Sequence, residues 1–159
     1  MQSQETIFAP APAKEHAMFQ KILVAYNELP ESRSALHACV RLAPGPDAEI
    51  HLLGVINVGT YLMAGEHVCE ALLAAEKYKI DNELASSHAI LANAGLKVID
   101  HLQAGEPVNV ITDLVEKLGI ELVIVGHSRQ KPLAMRWWRG SADAVLVEKI
   151  RCNILVAAD

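Results

Sequence analysis

The stretch from Leu122 to Ala142 concentrates the residues of this chain that can handle an anion. Arg129, Lys131, Arg136 and Arg139 fall there with no acidic residue among them, and without those four the chain has 10 basic against 19 acidic residues, a balance of −9. Gly126 opens the stretch and Gly140-Ser141 nearly closes it, just where a helical pattern from Ser141 to Ile150 begins. Backbone N–H groups of a glycine-bearing loop, together with a helix N-terminus, are the donors that surround phosphate groups. The pattern therefore marks an anion site, with a solvated charged loop as the alternative. Trp137 and Trp138, the only tryptophans, lie in the same stretch. Core packing, ligand stacking and a partner contact all stay open for them.

Hydrolytic and metal chemistry fare worse. Gly126-His127-Ser128-Arg129-Gln130 resembles a strand-borne nucleophile elbow, but its fifth residue is Gln, and no histidine follows His127 to complete a triad in that order. The seven histidines, at 16, 37, 51, 67, 88, 101 and 127, include no two that stand three or four apart as helix-borne ligands do. They read as surface or hydrogen-bonded residues, with His101 and His127 set apart because both fall near expected strand ends. No catalytic residue and no metal site is assigned. Cys39, Cys69 and Cys152 are odd in number and show no CxxC spacing, as expected of thiols in a reducing cytoplasm.

The elements that must position this loop follow from periodicity. KILVAY (21–26), IHLLGVI (50–56), Leu96 to Leu102, ELVIVG (121–126) and NILVA (153–157) are short aliphatic runs that read as strands. Between them lie helical patterns. One begins at Pro30, carries Ala35, Leu36, Cys39, Val40 and Ala43 inward and stops at Pro44-Gly45-Pro46. A long one runs from Glu66 to Ala94, with Cys69, Leu73, Glu76, Ile80, Leu84, Ser87 and Leu91 on its stripe and Gly95 as its C-cap. Glu76 and Ser87 interrupt that stripe and are expected at its edge. A third opens at Gly105-Glu106-Pro107, directs Val108, Ile111, Val115 and Leu118 to the core and closes at Gly119. Strand and helix alternate throughout, so an α/β three-layer sandwich with five parallel strands and helices on both faces is expected.

At 159 residues, 52% of them hydrophobic and 21% charged, the chain can bury one core, and no apolar run approaches a membrane span. A net charge of −5 argues against nucleic acid and anionic membranes as partners. Residues 1–17 lack periodicity and alternate Ala with Pro at 9–13, so a flexible tail is expected ahead of a domain at 18–159. Gln2, Gln4 and Glu5 do not make the basic start of a signal peptide. Met18 offers an alternative start of translation, and a partner-binding arm is the rival use for the tail.

KILVAYNELPESRSAL, ELVIVGHSR, GSADAV and RCNILV together resemble the universal stress protein family over residues 20–158. The resemblance implies a strand order of 3-2-1-4-5, and hence a crevice at the carboxyl ends of the first and fourth strands, where such sheets bind ligands. It also implies a homodimer through the last strand, a signalling protein as partner and a cytoplasmic location. Nucleotide-binding members carry an Asp after strand 1 in a V-A-x-D-G-S pattern. This chain reads Val24-Ala25-Tyr26-Asn27-Glu28-Leu29, so Asn27 can hydrogen-bond but brings no charge. Those members hold phosphates with G-x2-G-x9-G-[ST]. Here Gly126 is kept, Arg129 replaces the second glycine, and Gly140-Ser141 stand one residue late. The implied binding residues are Ala25, Asn27, Val55, Gly126, Arg129, Gly140 and Ser141, and the implied ligand is ATP or another adenine nucleotide with Mg, none of them obligate. The expected function is a stress-response binding or regulatory module with weak or absent nucleotide affinity; the alternative is an ATP-binding member with slow hydrolysis.

Overall fold

In a computed structural model of the chain, residues 18–26, 31–58, 66–127 and 146–158 are described. Five strands, β1 (Lys21–Tyr26), β2 (Glu49–Ile56), β3 (Lys97–Ala104), β4 (Leu122–His127) and β5 (Asn153–Ala158), alternate with helices α1 (Glu31–Leu42), α2 (Glu66–Asn93), α3 (Pro107–Leu118) and α4 (Leu146–Lys149). The strands form one sheet in the order β3-β2-β1-β4-β5, and every pairing is parallel. Among the described residues no helix is long and apolar enough to cross a membrane. The tail at 1–17 and the residues before Leu146 in the last helical pattern lie outside the described residues.

Alternation along the strands splits the core in two. Ile22 and Val24 of β1, with Ile50 and Leu52 of β2, pack under Leu36 and Cys39 of α1 and Leu84 and Leu91 of α2. The intervening Leu23, Ala25, Leu53 and Val55 pack instead under Val108, Ile111 and Val115 of α3, with Leu146 and Ile150 beside them. Both faces of the central strands are thus dry, which is why these strands read as unbroken aliphatic runs.

Helix ends follow local chemistry. Gly119, at φ 67°, closes α3, and its N–H bonds the Val115 carbonyl. Past α2, the Leu96 N–H reaches back to the Leu91 carbonyl at 3.2 Å while Gly95 holds φ 83°. The first helix ends at Leu42, so Ala43 is not part of its apolar stripe; it is exposed and left-handed, at φ 47°, ahead of Pro44. Ser87 is 3% exposed and therefore lies within the stripe of α2 instead of at its edge. Strand β3 starts one residue later than the periodicity indicates and runs two further, to Ala104.

Two contacts fix how the sheet is assembled. The Glu121 carboxylate, between α3 and β4, accepts the N–H groups of Gln20 and Lys21 at the start of β1. Gly54 of β2 makes room for α2: a Cβ placed there would lie 2.7 Å from Ile80 Cγ2.

Candidate functional site

Strands β1 and β4 lie side by side, with Ala25 opposite Val125, yet the chain leaves β1 toward β2 and leaves β4 toward β5. Connections that diverge in this way open a crevice beyond the carboxyl ends of the two strands, the place where open α/β sheets receive ligands. The sheet order required for such a crevice is present.

The described part of the site has a simple division of labour. Ala25 is 2% exposed and its methyl belongs to the core under α3, so it has only backbone to offer. Val55 packs in the same core and sits one position beyond Gly54, which pairs with Tyr26 at the end of β1. Gly126 follows Val125, pairs with Ala157 and is half-buried, so at this lip the backbone is bare of side chain. Asn27, Arg129, Gly140 and Ser141, together with Glu28, Trp137 and Trp138, lie outside the described residues.

The turn after β3 borders β2 on the same end of the sheet, its Gly105 N–H bonding the Ile56 carbonyl at 2.9 Å. The adjacent helix α3 does not present a free N-terminus. Its first amides, those of Val108 and Asn109, donate to the Glu106 carboxylate at 3.2 and 3.0 Å. A carboxylate already neutralises the positive end of that helix.

Of the two histidines set apart by the sequence, His127 ends β4 as expected, and it is His101 that departs from expectation. His101 lies within β3, three residues before its end, and its Nε2 is 2.9 Å from Nδ1 of His51 on β2. His51 is 4% exposed, and its Nε2 has no hydrogen-bond partner among the described residues. This pair was not legible in the sequence, because 50 residues separate its members and only the β2–β3 register joins them. His88 bonds Asp100 at 2.9 Å across α2 and β3. Among the described residues no three His, Cys, Asp or Glu groups could hold a metal ion.

The geometry and the comparisons with known proteins agree. The profile of the universal stress protein family matches residues 18–158. A putative universal stress protein of Staphylococcus epidermidis is 28% identical over 141 residues, which cover 87% of this chain and 83% of that protein. Among solved structures, the hypothetical protein MJ0577 superposes with a TM-score of 0.75 at 20% identity, covering 89% of this chain and 97% of that one. A universal stress protein family protein from Arabidopsis thaliana, solved with AMP bound, gives a TM-score of 0.59 at 14% identity, over 87% of this chain and 91% of that one. With a family profile that spans the whole described sheet and a sheet order that the resemblance requires, this chain belongs to the universal stress protein family.

Proposed function

We propose that this chain is a cytoplasmic binding or regulatory module that takes up an adenine nucleotide weakly in the crevice between β1 and β4. The observation that carries the reading is the divergence of the chain at β1 and β4, with the bare backbone of Gly126 at one lip. The phosphates are placed against the N–H groups of Gly126, Gly140 and Ser141, Arg129 supplies a guanidinium in place of the family glycine, and Asn27 serves the nucleoside end by hydrogen bonding alone. The AMP bound to the Arabidopsis relative supports the ligand class.

The same reading gives the module a partner in a second copy of itself, with a signalling protein as the further partner. Strand β5 is bonded on one side by β4, and along it Leu155 is 36% and Val156 54% exposed. An apolar edge of this kind pairs readily with another strand, and antiparallel pairing about a two-fold axis satisfies both chains.

Calorimetric titration of the full chain with ATP and Mg²⁺, at about 100 μM protein, suits a weak site. Binding is expected, and Ser141→Glu is expected to weaken it at least about tenfold, because a carboxylate then faces phosphate. Equal affinity in that variant overturns the assignment.

A further inference from the structure

On the face of the sheet covered by α3, His51 of β2 stands opposite Ile99 of β3, and Leu53 stands opposite His101. The two imidazoles are thus diagonal neighbours, stacked with centroids 5.2 Å apart and planes 28° from parallel. The His51 Nδ1 to His101 Nε2 distance of 2.9 Å is a hydrogen bond, which requires one N–H and one lone pair. The remaining nitrogen of His51, buried and without a hydrogen-bond partner among the described residues, lies 3.7 Å from a Glu49 carboxylate oxygen. Glu49 is itself held by Lys97 Nζ at 2.7 Å, and that hydrogen bond keeps its carboxyl below the ordinary range, so it is ionised.

These neighbours assign the tautomers. With a carboxylate beside it, His51 carries its hydrogen on Nε2 and accepts at Nδ1 the N–H that His101 donates from Nε2; the opposite choice would turn a buried lone pair toward Glu49. A first added proton then goes to Nδ1 of His101, the more exposed ring. It converts that ring into a charged donor and leaves the hydrogen bond in place. A second proton has only Nδ1 of His51 to occupy. Two N–H groups then meet across 2.9 Å, between two cations whose centroids are 5.2 Å apart.

The surrounding charges do not absorb this repulsion. Lys21 of β1, Lys97 of β3 and Lys117 of α3 act on the pair against Glu49 of β2 and Asp100 of β3, and Asp100 already bonds His88. One ring must leave. His51 is anchored in β2, which is paired on both sides, whereas His101 rides on β3, which among the described strands is bonded to β2 alone. We propose that the His51–His101 pair is an acid-operated latch on the β2–β3 edge, shut while the pair holds at most one added proton and forced open, loosening β3, by the second.

Burial holds both imidazoles below their ordinary range; the charge of His101 adds to the effect at His51, and Lys117 adds to it at His101. The folded pair therefore binds fewer protons than the unfolded chain below about pH 6.5, and its contribution to stability declines as pH falls from there toward the depressed folded values.

The test follows both imidazoles of the full chain by ¹⁵N NMR from pH 8 to 4.5, together with amide hydrogen exchange corrected for its intrinsic pH dependence. Two separated imidazole steps are expected. Protection of the β3 amides should fall at least tenfold more than that of the β1 amides, and only in the second step. In His101→Gln, whose amide N–H still reaches Nδ1 of His51 but does not titrate, the selective loss should vanish. Equal loss in β1 and β3, or a selective loss that persists in His101→Gln, overturns the latch. Should that variant fail to fold, the wild-type titration decides alone. A single step near pH 6.5, or protection lost in the first step, refutes the proposal.

Discussion

Substituting Gly54 by alanine should reveal why β2 carries a glycine at its most crowded point. This glycine is not among those with a positive φ, so its backbone would accept any residue, and space is the only constraint. The added Cβ would sit 2.7 Å from Ile80 Cγ2, against contacts of 3.4 Å to Leu84 and 3.5 Å to Leu102. The branch methyl of a helical isoleucine is fixed at χ1 and cannot swing aside, so α2 or β2 must shift by several tenths of an ångström. Overpacking of this kind costs about 1–3 kcal/mol. Alanine recovers about 0.4–1 kcal/mol through the lower entropy of the unfolded chain. At the middle of those ranges the net loss is about 1.3 kcal/mol, or roughly 3–5 °C in Tm at this length. Truncating Ile80 to alanine is itself destabilising, by about 2–5 kcal/mol, but it removes the obstructing methyl. In that background Gly54→Ala should become neutral or stabilising. Urea denaturation of the four proteins, followed by circular dichroism, closes the cycle. An equal cost of Gly54→Ala in both backgrounds, or no cost in the wild type, would show that the approach of α2 to β2 is not what requires glycine.

Cys39 is fully buried, and burial pushes its thiol up to about 12, so at pH 8 its thiolate fraction is about one in 10⁴. Peptide mapping after iodoacetamide treatment should find it unmodified until the protein unfolds; labelling of Cys39 as fast as of Cys152 would contradict the packing under α1. If Asn27, Glu28 and Arg129 weaken the nucleotide site, then Asn27→Asp, Glu28→Gly and Arg129→Gly together should raise ATP affinity at least about tenfold, roughly 1.4 kcal/mol, by calorimetry. No gain with an intact fold would place the obstacle elsewhere. Light scattering at about 50 μM should return a dimer mass for the full chain and for a chain beginning at Met18, and a monomer mass for Ile154→Pro, since proline removes a ladder donor from β5. Monomers in both of the first two samples would exclude pairing through that edge.

The legibility of the fold tracks burial. KILVAY and LVIV announced β1 and β4 because strands dry on both faces carry apolar residues at every position. The edge strand β3, with Asp100, His101 and Gln103 along it, offers no such run, so its end could not be located by hydropathy. Ser87 misled for a related reason: a small hydroxyl fits inside a helix stripe without advertising itself as core. At the site, Gly126 was readable from its place after a buried strand, whereas the His51–His101 contact depends on a register that exists only once β2 and β3 have paired.

The clamp made by Glu121 has a consequence for the order in which the molecule is built. It joins the chain to Lys21 across 100 residues, and β4, the second neighbour of β1, immediately follows it. A nascent chain can lay down β1, β2 and β3 with α1 and α2 while one flank of β1, including the N–H groups that Glu121 will receive, has no protein partner. Closure waits until the segment through His127 has left the ribosome, and so large a loop is slow to close. For that interval the central strand of the finished sheet is an edge strand, with Ile22, Leu23, Val24 and Ala25 in an unbroken aliphatic row. Newly made chains are therefore most exposed to misassociation through β1, whose Ile22, Leu23, Val24 and Ala25 the completed fold buries.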